Sequence, residues 1–185
     1  MIAKGRNNLQ AEIDTKKDIL DNMIERFPNV IKNEIAQYKA LLDKVSKENA
    51  EGDIEIEISL MNNSLYNDAI DIESNILLYH YFSLAIMIYS FAETSLEKIC
   101  SQINLSTPTP SRNKLNTYYN RVWGKYKELP KLSKVWKGKT TFQKYRNEIT
   151  HQMATNNESL TPDYLHTQLD AAYNMLCIVL RQIYK

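Results

Sequence analysis

The chain has 185 residues, of which 43% are hydrophobic and 24% charged, and its formal net charge is +1. This length suits one domain with a substantial core, and the composition excludes a wholly disordered chain. Only 4 Gly and 5 Pro are present. The sequence therefore predicts an all-α fold, because a β fold would need many tight turns.

The N-terminal fifty residues predict two amphipathic helices. Apolar residues recur at helical spacing on both sides of Pro28. Proline removes a backbone donor and clashes with the preceding turn, so a break is expected there. We expect residues 1–50 to form a helical hairpin that extends a helical domain over residues 51–185.

The next stretch allows two interpretations. Acidic and apolar residues alternate near 53–58, which is typical of a short edge strand, but the following residues favour a helix. From Ile70 to Leu105 the pattern predicts one long apolar helix, ended by the prolines of 106–110. Its most apolar part, 76–92, is at the lower limit for a membrane span, and its polar-tipped side chains favour a helix covered by other helices.

Three further helices are expected in the C-terminal half. The first follows Ser111, and a Lys-rich connection over 124–138 leads to the second. Thr140 and Gln143 form a capping box that places the start of this second helix near Thr141. Thr161 and Pro162 supply an N-cap and a first-turn proline for the closing helix.

Charge is distributed unevenly along the chain. Residues 111–150 carry eleven basic and two acidic side chains, whereas residues 51–74 carry seven acidic and no basic ones. The basic segment also carries Tyr118, Tyr119, Trp123, Tyr126 and Trp136, and charge with stacking favours an RNA strand. The alternative is a solvated face above buried aromatics. The candidate RNA-binding residues are Arg121, Trp136, Lys137, Lys139 and Lys144.

Arg146 and His151 are the candidate catalytic residues. Arginine presents a planar set of donors suited to phosphate, and histidine exchanges protons near neutrality. Helix geometry places Arg146 beside the apolar stripe of its helix and points His151 almost directly away from it. His151 is thus not expected in the core, and the alternative is an ordinary surface histidine.

The same geometry bears on oligomeric state. Arg146 and His151 are separated by about 140° around the helix and about 7.5 Å along it. One helix therefore focuses them poorly on a single phosphorus. A two-fold axis near this face would bring two arginines and two histidines to one cleft. We expect a homodimer.

The stretch Arg146-Asn147-Glu148-Ile149-Thr150-His151 resembles the RNxxxH signature of the HEPN superfamily. The order of elements over residues 51–185 is similar to that family as well, whereas residues 1–50 lie outside the match. The resemblance implies a HEPN-like helical bundle and a metal-independent endoribonuclease. Its products would be a 2′,3′-cyclic phosphate and a 5′-hydroxyl.

Residue roles follow from the resemblance. Arg146 would bind the scissile phosphate, and His151 would be the general base or acid. Asn147 would orient the imidazole or contact phosphate. Glu93 and Thr150 would be supporting positions. No metal and no cofactor are implied.

The resemblance also implies biological partners. Many HEPN ribonucleases act as toxins or antiviral defence effectors, and an antitoxin, inhibitor or sensor protein would control them. Some family members carry a tyrosine two residues after the histidine as a modification target, but Met153 holds that position here. Control by that route is therefore not expected.

Compartment and alternative function complete the predictions. Two cysteines without a metal-binding spacing, and a basic start with no apolar run behind it, predict a cytoplasmic protein outside the membrane. The competing function is a non-catalytic HEPN-like module that binds nucleotide, RNA or a partner protein. RNA cleavage by the parent protein separates the two.

Overall fold

The computed structural model describes residues 2–48, 54–105, 114–137, 143 and 160–185. These ranges contain helices and no strand, which confirms the predicted all-α class. In chain order the helices are α1 (Ile2–Glu48), α2 (Ile54–Gln102), α3 (Lys114–Lys125), α4 (Leu132–Val135) and α5 (Pro162–Ile183).

Packing divides the chain into two compact units. The first, called the core unit, consists of Met1–Ile24 and Tyr81–Lys185. The second, called the hairpin unit, is Glu25–His80. The boundary predicted at residue 50 lies inside the hairpin unit, so this division differs from the one that the sequence suggested.

The predicted hairpin over residues 1–50 is wrong. α1 runs from Ile2 to Glu48 and contains Pro28 in its interior. An interior proline costs about 3 kcal/mol, but Pro28 is buried and Phe27 stacks on His80 with ring centroids 3.9 Å apart. Packing against α2 thus offsets the local penalty. In the hairpin unit α1 and α2 themselves run antiparallel.

The possible strand near 53–58 is also corrected. Residues from Ile54 onward form the first turns of α2. A lone strand leaves its backbone groups unpaired, whereas a helix satisfies them within the segment. Since the described residues offer no strand to pair with, the helix is the favoured conformation.

The core unit contains most of the buried apolar side chains. The second half of α2 contributes Leu84, Ile88, Leu96 and Ile99, all at most 1% exposed. α5 covers this layer with a fully buried apolar stripe. Its members are Leu165, Leu169, Ala172, Leu176 and Val179.

Local capping is present at the start of α5 and at the end of α2. Thr161 has an extended backbone and its hydroxyl accepts a hydrogen bond from the Tyr164 amide, which confirms the predicted N-cap of α5. At the end of α2, Asn104 adopts a left-handed conformation with φ 54°. The Leu105 amide then bonds to the Cys100 carbonyl at 2.9 Å, as in a Schellman motif.

One stretch is long and apolar enough to cross a membrane by length and composition alone. It covers Asn63–Gln102 in α2, with a mean hydropathy of 1.3 over its most apolar window and 33% of that window buried. Helices at the centre of folded domains meet the same criterion. The second half of this stretch supplies core residues of the core unit.

Candidate nucleic-acid interface

The motif itself falls outside the described residues. Arg146, Asn147, Thr150 and His151 are among the residues that are not described, and so are Lys139 and Lys144. Their roles stay predictions. Of the segment predicted to form the motif helix, only Gln143 is described, and it is helical and half-buried. The remaining candidates, Glu93, Arg121, Trp136 and Lys137, can be placed.

Trp136 is a core residue, which corrects its assignment to RNA binding. It is 1% exposed. Its indole Nε1 donates to Gln168 Oε1 at 2.7 Å, and its ring lies 6.3 Å from that of Tyr89. An indole this enclosed has no face open to a nucleobase. The apolar ring and the satisfied N–H instead join the end of α4 to α5.

Two aromatic side chains of α3 hold the connection that follows the helix. The Tyr119 hydroxyl donates to the Pro130 carbonyl at 2.6 Å, and Trp123 Nε1 donates to the Leu129 carbonyl at 2.9 Å. Leu129 is itself buried. The backbone from α3 to α4 is thus held by two side-chain hydrogen bonds, and its charged side chains are exposed.

These exposed side chains form what we call the lysine face. Its members are Lys125, Lys127, Lys131, Lys134 and Lys137, and each is exposed. None of the five forms an ion pair with a residue in the described part of the chain. The neighbouring acid, Glu128, pairs instead with Lys185 and Gln182.

The lysine face is therefore a local concentration of uncompensated positive charge. Lys125 donates to the Ile103 carbonyl at 3.3 Å and lies 5.8 Å from the ring centroid of Tyr126, and neither contact cancels its charge. Such a surface attracts polyanions, and the attraction weakens with salt. Lys137, a predicted RNA-binding residue, belongs to it.

Few aromatic rings are available beside this charge. Tyr118, Tyr119 and Trp136 are at most 2% exposed, whereas Trp123 is 36% exposed and Tyr126 is half-buried. Of these five aromatic residues, only Trp123 and Tyr126 can contact a base. Each of the two interpretations of the basic segment, RNA binding and a solvated face above buried aromatics, is thus met in part. Most of these aromatic residues fill the core, and the lysines remain on the surface.

Arg121 and Glu93 lie in less exposed surroundings. Arg121 is half-buried, and its charge acts on Cys100. Glu93 is half-buried and lies one turn before Glu97, which accepts a hydrogen bond from the Tyr118 hydroxyl at 2.8 Å. Neither position contradicts the proposed roles, which depend on the undescribed motif.

The cysteines have no features of nucleophiles. Cys100 and Cys177 are both free and buried. Burial raises the pKa of the Cys100 thiol to about 11, so it is protonated at neutral pH. Burial of this kind is typical of cysteines that act as small core residues. The described residues also contain no cluster of three or more His, Cys, Asp or Glu side chains that could hold a metal ion.

Alkaline pH should destabilise the core unit. Burial raises the pKa values of both Tyr118 and Tyr119 to about 12, and the hydrogen bond to Glu97 adds to the effect at Tyr118. Since these folded-state values exceed the ordinary value of about 10, the stability contribution is complete below pH 10. It is lost as pH rises towards 12.

Ultraviolet titration of tyrosine ionisation, followed together with helical circular dichroism, checks this expectation. Tyr118→Phe with Tyr119→Phe should reduce the late-ionising fraction and flatten the loss of stability above pH 10. The hydrogen bond to Asp14 and burial also raise the pKa of Tyr173, so its late ionisation should remain. An unchanged late-ionising fraction in the double variant would contradict the assignment to Tyr118 and Tyr119.

A polar seam between α1 and α5 was not predicted from the sequence. Lys17 Nζ lies 3.1 Å from Asp170 Oδ1, and His166 Nδ1 lies 3.0 Å from Asp21 Oδ1. The Tyr173 hydroxyl donates to Asp14 at 2.8 Å. The spacings 14, 17, 21 and 166, 170, 173 place each set on one helix face, but only the structure shows that the two sets meet.

The seam is structural in character. Lys17, His166 and Tyr173 each have an aspartate partner across the helix pair, and the contacts lie at a solvent-accessible border. The side chain of His166 is 28% exposed. This histidine is therefore a useful comparison for the one in the motif.

Comparisons with known proteins add no relative. No protein-family model, characterised protein or solved structure matches the chain.

Proposed function

We propose that this protein is a metal-independent endoribonuclease of the HEPN type. The observation that carries the proposal is one stretch of chain that joins the uncompensated lysine face to the motif of Arg146 and His151. The charge would hold an RNA backbone, and the motif would supply the chemistry. The resemblance of the motif to HEPN ribonucleases supports the same function.

The reaction needs only side chains of this chain. His151 takes the proton from a ribose 2′-hydroxyl, whose oxygen attacks the adjacent phosphorus. Arg146 binds the phosphate oxygens and stabilises the charge that develops on them. The bond to the 5′ oxygen breaks, and that oxygen receives a proton. The products are a 2′,3′-cyclic phosphate and a 5′-hydroxyl.

A homodimer supports this chemistry because two motif helices would line one cleft. One histidine then acts as base and the other as acid, while Asn147 orients an imidazole or contacts phosphate. Lys137, Lys139 and Lys144 would guide the strand, and Arg121 would add charge beside it. Glu93 and Thr150 would be supporting residues.

A role as a toxin or antiviral defence effector follows from the proposed activity. An enzyme that cuts cellular RNA needs control, so an antitoxin, inhibitor or sensor protein belongs to the proposal. We place the protein in the cytoplasm, where its RNA substrate is found.

The decisive experiment incubates the purified full chain with mixed RNA in EDTA. We expect cleavage products with cyclic phosphate and 5′-hydroxyl ends, because no step uses a metal. Single-stranded DNA should stay intact because it lacks the attacking 2′-hydroxyl. Salt-dependent RNA binding without cleavage would favour the non-catalytic binding module instead. If the protein neither bound nor cleaved RNA, RNA would be neither its substrate nor its ligand.

A further inference from the structure

The hairpin unit carries more apolar surface than two helices can bury. Among its described side chains only Pro28 and Ala69 are buried. Eight of its large apolar side chains are 37–64% exposed and are treated as one set: Val30, Tyr38, Leu41, Val45, Met61, Ile72, Ile76 and Tyr79. A monomeric protein rarely leaves such a set uncovered when its members are contiguous.

The eight side chains share one side of the hairpin. On α1, Val30, Tyr38, Leu41 and Val45 fall within an arc of about 80°, and on α2 the other four fall within about 60°. On each helix the centre of this arc lies about 90° around the helix axis from the side that faces the other helix. The direction of this rotation, viewed from the N-terminus of each helix, is the same for α1 and α2. Because the two helices run antiparallel, both arcs therefore lie on the same side of the hairpin. We call this surface the hairpin face.

We propose that the hairpin face binds the hairpin face of a second copy of this chain, forming a four-helix bundle. Full burial would remove about 700 Å² per copy, counting about 180 Å² for each fully exposed large side chain. Specific interfaces bury about 800 Å² per partner. The hairpin face alone thus supplies most of the area that a stable dimer needs.

Charge at the edges favours one arrangement. The outer edge of α1 carries Arg26 and Lys44, and the outer edge of α2 carries Asp68 and Asp71. A two-fold axis parallel to the helices places α1 of one copy on α2 of the other, so opposite charges meet on both sides. A two-fold axis perpendicular to the helices would instead bring edges of the same charge together, and their repulsion costs energy.

The same axis makes every neighbouring pair of helices antiparallel, as in up-and-down bundles. Glu34 is the one described charged residue within the α1 arc. In this arrangement it lies level with Asn75 of the second copy, whose amide can donate a hydrogen bond to it. The central charge therefore has a polar neighbour.

A matched pair of isoleucines tests the interface. Ile72 is 52% exposed on the hairpin face, and Ile70 is 40% exposed on the opposite side of the same helix. Ile72→Glu should weaken self-association of the full chain at least about 30-fold, whereas Ile70→Glu should leave it unchanged. Both sites are exposed, so neither variant should unfold.

Sedimentation velocity at micromolar concentration measures the effect. Helical circular dichroism confirms that each variant is folded. The proposed motif dimer does not involve Ile70 or Ile72, so its contribution to self-association should be the same in both variants. Equal masses for the two variants would overturn the hairpin interface without bearing on RNA cleavage, whereas a monomeric parent chain would overturn both the hairpin interface and the motif homodimer.

A disulfide cross-link tests the proposed arrangement of the two copies. Lys39 contacts both Tyr66 and Glu73, so Leu41 lies level with Asp68. Mild oxidation of a mixture of Leu41→Cys chains and Asp68→Cys chains should give a cross-linked pair. The native cysteines are buried and should not compete. A disulfide between two Leu41→Cys chains, formed without any Asp68→Cys chain, would overturn the two-fold axis parallel to the helices.

Discussion

His151→Ala should lower RNA cleavage by about 100- to 10,000-fold, because general acid–base catalysis contributes a factor of this size. Arg146→Ala should cost about 100- to 1,000-fold through lost stabilisation of phosphate charge. Both losses should appear mainly in kcat. End analysis of products from the parent and each variant, under single-turnover conditions in EDTA, measures them.

His166→Ala is the matched histidine control. Its imidazole lies in the seam between α1 and α5, bonded to Asp21. Removing it should leave cleavage within about twofold of the parent. If His151→Ala retained parental cleavage, or if His166→Ala lost as much, the proposed assignment of the base would fail.

Arg146→Lys separates charge from geometry. Lysine keeps the positive charge but loses the planar set of donors that binds two phosphate oxygens at once. We expect activity between those of the parent and Arg146→Ala. Full activity in the lysine variant would show that charge alone is sufficient at this position.

Trp136→Ala should lower the free energy of unfolding by about 3–5 kcal/mol, the usual cost of emptying a buried tryptophan site. The indole is 1% exposed and contacts the layer that holds α5. Trp136→Phe refills most of the space but removes the Nε1 donor. It should cost about 1–3 kcal/mol because the buried Gln168 oxygen loses its partner.

Urea unfolding followed by circular dichroism measures both variants. Lys137→Ala is the adjacent control, since this exposed lysine should change stability by no more than about 0.5 kcal/mol. An unchanged stability in Trp136→Ala, with weaker RNA binding, would return Trp136 to the RNA-binding surface. The expected pattern is the reverse, in which Lys137→Ala weakens RNA binding and leaves stability unaltered.

Local patterns predicted the elements whose signals are local. The N-cap of α5 was readable at Thr161, and so was the apolar spacing along that helix. A cap and a stripe both depend on residues within a turn or two of each other. The all-α class followed from the same patterns and from the scarcity of Gly and Pro.

Signals that depend on a distant partner were misjudged. Pro28 indicated a break because the local cost of proline is real, yet α1 continues where Pro28 is buried and Phe27 stacks on His80 of α2. The alternation at 53–58 suggested a strand because period two is visible without knowing what lies beside it. In both cases tertiary packing exceeded a local preference.

The candidate interface shows the same division. The sequence by itself determined the excess of lysine, the number of aromatics and the presence of Arg146 and His151, because charge and chemistry belong to residues. Only the tertiary structure decided that Trp136 faces inward, that the lysine face is exposed and that Asp21 meets His166. Burial and pairing depend on which segments pack together, and that information is distributed over residues far apart in the chain.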